Sequence, residues 1–396
     1  MPPSKSPRTH APHGFTLVEL LVGTAVTSII LFAVAFTVLA VQGSYQTESR
    51  IKVAVEGART ATSFIERRLR MAGYGVDPRF AFDFNVSQLP TGTKSNYALN
   101  FGTGVPKSVT DDLAFRYRDP SWLRRGTYDT AQGLVLTGGD AFGVDFPEGR
   151  RFIIACMGGR DYLVMKARSG GVKKDEKKTS NLDVDASLSS VAADAGCLTQ
   201  TGGSAPYVMM LHELRIRIMD LGGRPFLMAF PGIDTLDLST AVPLAADVES
   251  FQVAYVMNRP SPSSPFAALP AIDGGSSPAN WVLGDVGSVS TERTPDPTVT
   301  PAPMYGMDYE DAARYNRHPG NIRAVRVSIT VRSTRAEPSG RRAFARENLE
   351  DSAEKAAADG FYRTNMTTTV RVPNMMSRSA FIPEVGTDPT DIVSGG

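Results

Sequence analysis

The sequence has few of the residues that usually build catalytic and metal sites. It contains four histidines in 396 residues. The stretch HELRI begins like the zinc motif H-E-x-x-H, but Ile216 stands where the second histidine should be. The stretch DVDAS has calcium-like acid spacing, but Leu188 occupies the sixth position, where a calcium loop has glycine. Neither a G-x-S-x-G elbow nor a Walker-type glycine loop is present, so we expect no catalytic residue, no metal, no cofactor and no enzymatic activity.

An excess of either charge is also missing. The chain has 42 Lys and Arg against 41 Asp and Glu, a formal net charge of +1. Binding to nucleic acid through the overall field of a protein needs a clear positive excess. We therefore expect no nucleic-acid partner.

Cysteine is scarce, with only Cys156 and Cys197. Their spacing fits no C-x-x-C zinc or redox pattern. If the body of the protein lies outside the cytoplasm, a disulfide between them is plausible. Two unrelated buried thiols are the alternative.

Charge and proline are both missing from one long stretch near the amino terminus. Glu19 is the only charged residue in 15–41, and residues 13–77 contain no proline. About 20 apolar residues suffice to cross a bilayer. We therefore predict one helix from about Phe15 to Ala72, roughly 85 Å long at 1.5 Å per residue, whose first half spans the membrane.

The residues that flank this run predict its orientation. The preceding segment, MPPSKSPRTHAPHG, carries Lys5 and Arg8 and no acid. Positive residues stay on the cytoplasmic side of a membrane. We predict a single-pass protein with a cytoplasmic amino terminus and the rest of the chain outside.

Glu19 needs a partner, because a carboxylate at the bilayer centre costs on the order of 2.5–3.5 kcal/mol. A cut between Gly14 and Phe15 would create a positive α-amine four residues before Glu19. That amine could pair with Glu19 of its own chain or of a neighbouring chain. A negative side chain in the first turn also suits the helix dipole.

The run G-F-T-L-V-E-L, with its basic leader and the apolar stretch behind it, resembles the prepilin signal of type IV pilins and type II secretion pseudopilins. The resemblance implies that a membrane aspartyl peptidase cuts between Gly14 and Phe15 and methylates the new Phe15 amine. It also implies that Glu19 assists entry of the subunit into a growing filament. The leader of 14 residues is longer than many in that family.

The second half of the long helix is amphipathic. Small or apolar residues recur in steps of three and four at Val55, Ala58, Thr62, Ile65 and Leu69, and this spacing puts them on one face. Glycines at 73 and 75 are natural terminators. The closing R-R-L-R-M-A-G-Y-G resembles the end of the long helix in PilW minor pilins, which are relatives of the J pseudopilin of type II secretion.

Beyond Pro78 the strand signals have a period of two residues. They are LAFRYR, RFIIAC, DYLVMK, LRIRI, VESFQVAY, IRAVRVSITVR and NMTTTVRV. Alternation of this kind is typical of half-buried antiparallel strands. We predict an α+β, pilin-like fold in which one long helix packs on an antiparallel β-sheet head with large loop insertions.

The predicted organisation therefore has four parts, which are a leader (1–14) that is removed, a transmembrane or filament-core helix (15–41), an amphipathic continuation (42–75) and a β-rich head (76–396). Two polar stretches of the head, at about 167–196 and 259–320, are predicted to be surface loops. The second is rich in Pro, Ser and Gly and can bury little apolar surface.

These features indicate a minor, PilW-like type IV pilin that primes pilus assembly and sits at or near the tip. The alternatives are a type II secretion pseudopilin and an adhesin displayed at the pilus tip. The implied partners are the prepilin peptidase/methyltransferase, other minor and major pilins that contact the amino-terminal helix, the inner membrane and the pilus assembly platform. The implied location is the inner membrane with a periplasmic head, and later the extracellular pilus.

Overall fold

A computed structural model of the chain describes residues 15–84, 110–138, 141–157, 161–222, 224–233, 238–272, 281–285, 294–300, 311–336, 349–350 and 360–376. The chain divides into two compact units, residues 1–52 and 53–396. One helix, α1 (Leu17–Leu69), begins in the first unit and ends in the second. It starts two residues later and ends three residues earlier than the sequence predicted.

The first unit consists, in its described part, of the apolar half of α1. Its large apolar side chains from Phe15 to Val41 are exposed. The helix is long and apolar enough to cross a membrane by length and composition, with a mean hydropathy of 2.4 over its most apolar 18-residue window and no burial there. These side chains need a membrane or neighbouring helices to cover them.

The second unit buries one face of the remaining part of α1. The fully or nearly fully buried residues of this face are Ala54, Ala58, Ala61, Ile65 and Leu69. The sequence prediction of the face was right for Ala58, Ile65 and Leu69, whereas Val55 and Thr62 are only half-buried at its margin. Three of these five residues are alanines, whose small side chains take up little space in the core.

Glycines end α1, as predicted. Gly73 and Gly75 have φ values of +79° and +62°, in the left-handed region that costs glycine little. The Gly73 N–H donates to the carbonyl oxygen of Arg116 at 3.0 Å. A short helix, α2 (Pro78–Ala81), follows, and the Asp77 side chain accepts the N–H of Arg79 at its amino end.

The described strands form two antiparallel sheets. Sheet 1 has nine strands, β1 (Leu113–Asp129), β2 (Gly133–Leu136), β3 (Arg151–Ala155), β4 (Tyr162–Ala167), β5 (Lys178–Thr179), β6 (Leu182–Val184), β7 (Tyr207–Asp220), β8 (Pro225–Pro231) and β9 (Val242–Ala246). Sheet 2 has four strands, β10 (Val248–Met257), β11 (Val282–Leu283), β12 (Ile322–Arg332) and β13 (Arg363–Arg371). Each predicted strand segment lies in one of them, and the α+β prediction is confirmed.

Strand β7 organises sheet 1. It pairs with β1 along one side, and on the other side with β3 over its first half and β8 over its second half. The sheet order is β5-β2-β1-β7-β3-β4-β6. Off this path, β8 pairs with β7, and β9 pairs with β8. Sheet 2 has the order β11-β10-β12-β13. The two sheets are joined where the Asp111 N–H donates to the Phe251 carbonyl and Asp111 Oδ2 accepts the Val253 N–H, both at 2.8 Å.

Sheet 1 separates two hydrophobic cores. The first core contains the buried face of α1, the apolar face of sheet 2 and one face of sheet 1. The second core covers the other face of sheet 1. Alternate residues of β3 show the division, because Ile153 and Ala155 belong to the first core and Phe152 and Ile154 to the second.

The second core is rich in aromatic rings. Trp122, Phe142, Phe146 and Phe152 have ring centroids 4.4–6.4 Å apart, and the Trp122 indole N–H donates to the Phe142 carbonyl at 3.0 Å. At its margin Cys156, which follows β3, and Cys197 are joined in a disulfide.

The segment 167–196 differs from the surface loop that the sequence predicted. It contains β5, β6 and the 3₁₀ turn Ala186–Leu188. Val172 and Leu182 are among the few apolar residues of this polar segment. Both are buried in the second core, which anchors the segment there. Of the predicted loop 259–320, the structure describes 259–272, 281–285, 294–300 and 311–320, which include β11.

Candidate functional site

The candidate site is the first turn of α1. Phe15 and Thr16 precede the helix, and the Phe15 side chain is 80% exposed. Glu19, also exposed, is the acidic residue of the first turn. Gly14 and the leader lie outside the described residues.

Thr16 and Glu19 cap the helix reciprocally. The Glu19 N–H donates to Thr16 Oγ1 at 3.3 Å, and Glu19 Oε2 accepts from the Thr16 N–H at 3.4 Å and from its hydroxyl at 3.3 Å. This is the capping box, in which the residue before the helix and its third residue satisfy each other's backbone donors. Thr16 was not predicted as part of the site, although the pattern T-x-x-E before an apolar run indicates a capping box.

These bonds hold the Glu19 carboxylate only weakly. Their lengths of 3.3–3.4 Å exceed the usual 2.9–3.0 Å of a protein N–H···O bond. A positively charged amine forms a shorter bond to a carboxylate, of roughly twice the strength. The capping box therefore fixes the position of the Glu19 carboxylate. The carboxylate can exchange its long bonds to Thr16 for a stronger bond to a charged amine.

The hydroxyls of the apolar run are satisfied within the helix. Thr24, Thr27, Ser28 and Thr37 each donate to a backbone carbonyl three or four residues earlier, at 2.7–3.0 Å. These side chains can lie in hydrocarbon without leaving a donor unpaired. Glu19 is thus the one group of this run whose charge still calls for a partner.

The disulfide does not contribute to this turn, because Cys156 directly follows β3 and Cys197 lies in the 3₁₀ turn Gly196–Thr199, both at the second core. Among the described residues, no group of three or more His, Cys, Asp or Glu side chains is arranged to hold a metal ion. The chemistry that the described arrangement offers is the pairing of one carboxylate near the start of an apolar helix.

Comparisons with known proteins concern both ends of the molecule. A family model described as Type IV Pilus-assembly protein W (PilW) matches residues 219–374, which include β8 to β13. A second model, the prokaryotic N-terminal methylation motif, matches residues 10–35. No curated protein sequence matches the chain.

Among solved structures, one match is a type IV-like pilin from Thermus thermophilus. It is 12% identical, covers 58% of this chain and 84% of its own length, and has a TM-score of 0.21. A TM-score this low adds nothing about fold or function.

Proposed function

The two family matches indicate a PilW-like minor type IV pilin with a prepilin signal, and on that premise we propose how its amino terminus is matured and used. Prepilin peptidase cuts between Gly14 and Phe15 and methylates the new amine. The helix is held in the inner membrane until the subunit enters a filament, and Glu19 guides that entry. In this role the subunit primes assembly and remains at or near the tip.

The position of Phe15 supports cleavage. It lies two residues before the first residue of α1 and is 80% exposed. A protease binds an extended backbone, and the carbonyls of a helix are occupied by its own hydrogen bonds. Phe15 therefore lies outside the helix, so α1 does not have to unwind at this residue for a membrane peptidase to bind it.

The charge pattern supports the orientation. Lys5 and Arg8 precede the apolar run, which favours a cytoplasmic leader. The disulfide between Cys156 and Cys197 fits a head in an oxidising compartment such as the periplasm. The apolar half of α1 would anchor the subunit.

The first turn of the helix is the observation that carries the proposal. Cleavage would convert the Phe15 amide nitrogen into an ammonium group, next to Thr16 and within reach of Glu19. The Glu19 carboxylate, held by long bonds, would then accept the ammonium of its own chain or of the subunit ahead. In hydrocarbon the pairing of the two charges is worth more than either bond to Thr16.

The exposed apolar side chains of the helix support assembly with other pilins. Those from Leu17 to Val41 have no cover from the described part of this chain. Neighbouring minor and major pilin helices can replace lipid around them, and the assembly platform would carry out that exchange.

Mass spectrometry of filaments sheared from cells tests the proposal first. We expect a peptide that begins at methylated Phe15, at low stoichiometry relative to the major pilin. If that peptide is confined to the membrane and periplasmic fractions, the type II secretion pseudopilin becomes the better assignment. An uncut leader in every fraction would contradict maturation altogether.

Variants of the capping box separate docking from helix capping. We expect Glu19→Ala to leave cleavage intact and to reduce incorporation roughly 10- to 160-fold, since a hydrogen bond to a charged group is worth about 1.5–3 kcal/mol. Thr16→Ala removes the hydroxyl but keeps the carboxylate, so incorporation should change less than about threefold. Glu48→Ala, in the same helix beyond the apolar run, is the matched control. Equal losses for Thr16→Ala and Glu19→Ala would show that Glu19 acts only as a cap.

A further inference from the structure

The long edge of sheet 2 is formed by β13 (Arg363–Arg371). Among the described strands it pairs only with β12, over nine residues and without a register shift. The other strands with a single partner are short or interrupted. β5 and β11 have two residues each and β6 has three, while β9 has five, contains Pro243 and pairs with β8 through a register shift. Shortness, proline and irregular register are common protections of a sheet edge, and β13 has none of them.

The backbone groups on the free side of β13 belong to its odd-numbered residues. Tyr362, just before the strand, accepts the Ser333 N–H at 2.7 Å. Val372, just after the strand, donates its N–H to the Arg323 carbonyl at 3.1 Å. In an antiparallel pair, every second residue directs both its N–H and its C=O at the partner strand. Even-numbered residues therefore face β12, and the odd-numbered ones point their N–H and C=O groups away from it.

The carboxyl-terminal half of this edge is accessible. Thr367, Thr369 and Arg371 are exposed on the outer face of sheet 2, where Thr367 Oγ1 lies 2.9 Å from Ser328 Oγ. Within the described ranges, no second strand pairs with these three residues. Each therefore offers one N–H donor and one C=O acceptor to an added strand.

The first core is open along the same edge. Met366 and Thr368 have their side chains on the core face of β13, and both are half-buried. Met366 Sδ accepts the hydroxyl of Thr62 in α1 at 3.2 Å, and Thr62 is itself half-buried. Apolar side chains of an added strand would cover this margin between α1 and β13.

Arg371 gives this edge a charge preference. Its side chain is exposed, and it makes no ion pair with a carboxylate of the described residues. Arg326 and Arg363, which lie on the same face, are paired with Glu350 and Glu249. Opposite charges directly across two strands stabilise their pairing. An incoming strand is therefore favoured if it carries an acid opposite Arg371.

We propose that β13 accepts a strand from another protein chain, which extends sheet 2. The occupant is an antiparallel segment of alternating apolar and polar residues, with its apolar side chains toward α1 and an acidic residue opposite Arg371. Backbone hydrogen bonds supply the affinity, and the alternation and the acid supply the specificity. A second copy of β13 is disfavoured because RTNMTTTVR contains no acid for Arg371. The inference concerns the second unit and does not depend on the proposed role of the amino terminus.

Peptides with methylated backbone nitrogens test the proposal. The parent peptide is E-V-T-V-T-V, acetylated and amidated, whose glutamate lies opposite Arg371 in antiparallel pairing. Probe A is methylated at the nitrogens of its first two valines, which point away from β13. Probe B is methylated at its two threonine nitrogens, which face β13. The two probes are isomers and are therefore matched in composition for partition into micelles.

Saturation-transfer NMR on the full chain in detergent micelles measures the binding, with empty micelles subtracted. We expect probe A to bind with a Kd on the order of 0.1–1 mM and probe B at least tenfold more weakly. Equal binding of the two probes would overturn the proposal. So would no binding of probe A at about 10 mM, ten times the weakest expected Kd.

A proline variant locates the binding on β13. Thr369→Pro removes an N–H that points away from β12, and an edge strand tolerates proline at such a position. It should weaken probe A at least tenfold, whereas Thr369→Val, which keeps the N–H, should change its Kd less than twofold. An unaltered Kd in Thr369→Pro would contradict the assignment. A dimer of the full chain that Thr369→Pro converts to monomer would identify a second copy as the occupant and overturn the proposal of another protein.

Charge reversal tests the role of Arg371. A form of probe A with lysine in place of glutamate should bind the unaltered chain at least threefold more weakly than probe A. The Arg371→Glu variant should reverse this order. The same order in both chains would show that Arg371 does not select the acid, and the proposed chemistry of the partner would be wrong.

Discussion

The two hydrophobic cores on either side of sheet 1 differ in what they are connected to. The first core includes the buried face of α1 and the apolar side of sheet 2, and the PilW match at 219–374 includes every strand of sheet 2. The second core draws its buried residues from Trp122 to Val208, all outside both matched ranges. Among the described residues, the buried face of α1 belongs to the first core and none of it to the second.

The two cores therefore differ in whether they include part of α1. No described residue of α1 belongs to the second core.

The largest effects are expected from adjacent residues of β3 that point to opposite cores. Phe152→Ala should cost about 3–5 kcal/mol and Ile153→Ala about 2–5 kcal/mol of unfolding free energy, because both side chains are fully buried. The chain has two tryptophans, so a Trp281→Phe background leaves Trp122 as a reporter of the second core. Phe152→Ala should shift Trp122 emission before global unfolding, whereas Ile153→Ala should not. The same shift in both variants would mean that the cores behave as one.

Removal of the disulfide should weaken the second core selectively. Cys156 and Cys197 are separated by 41 residues, and closing a loop of that size stabilises a protein by about 2–4 kcal/mol, chiefly by restricting the unfolded chain. We expect the Cys156→Ser/Cys197→Ser variant to lower the urea midpoint reported by Trp122. The unaltered chain in reductant is the control and should match the variant. Loss of helix-face protection in hydrogen exchange at the same urea concentration would contradict the separation of the cores.

Lowering the pH should destabilise the protein through His318, a buried residue just before β12. His318 is 2% exposed, and its Nδ1 accepts the Gly320 N–H at 3.0 Å, just before β12. Burial lowers the His318 pKa from 6.5 to about 4, against the opposing charges of Asp77 and Asp296. The folded state therefore binds fewer protons than the unfolded state between these values, and stability falls as pH drops from about 6.5 to about 4.

The loss should approach 3 kcal/mol over that range, at 1.36 kcal/mol per pKa unit. His318→Asn keeps an acceptor for the Gly320 N–H but cannot titrate, so its unfolding free energy should change less between pH 7 and pH 4. His212→Asn, which alters a more exposed histidine, is the matched control. Identical pH slopes for His318→Asn and the unaltered chain would show that another group causes the acid sensitivity.

Apolar periodicity within short stretches of sequence predicted the helix and the strands β10, β12 and β13. Such a period indicates which face of one element is buried. They did not predict that β3, β4 and β7 are covered on both faces. The unbroken apolar run in RFIIAC is compatible with that arrangement, but the second layer comes from residues as distant as Trp122 and Leu198. Local alternation carries no information about such a layer.

The candidate site shows the same limit. Phe15 and Glu19 were predicted because they belong to one short motif, and Thr16 was readable from the same motif. The buried ion pair of Arg116 with Glu213 was not predicted either, since the two residues are 97 apart in the chain and meet through the pairing of β1 with β7. Side-chain pairs of this kind depend on strand register, which the sequence alone did not determine.

The smallest effects concern how α1 ends against the first core. A Cβ at Gly73 would lie 2.6 Å from the Met375 sulfur, and its φ is +79°, so Gly73→Ala should cost about 1–2 kcal/mol or more. Gly57 lies inside the helix, and the nearest atom to its added Cβ is the Ala245 Cβ at 3.9 Å. Gly57→Ala should therefore stabilise by about 0.5–1 kcal/mol through helix propensity.

The two substitutions are expected to change stability in opposite directions, which makes the pair a sensitive test. Stability is measured as the urea midpoint of the full chain in micelles. If both substitutions destabilise, the helix is packed more closely at Gly57 than the 3.9 Å distance indicates. If neither has an effect, the carboxyl end of α1 does not limit the stability of the first core. In that case the packing of α1 on the first core would depend on the buried alanines Ala54, Ala58 and Ala61.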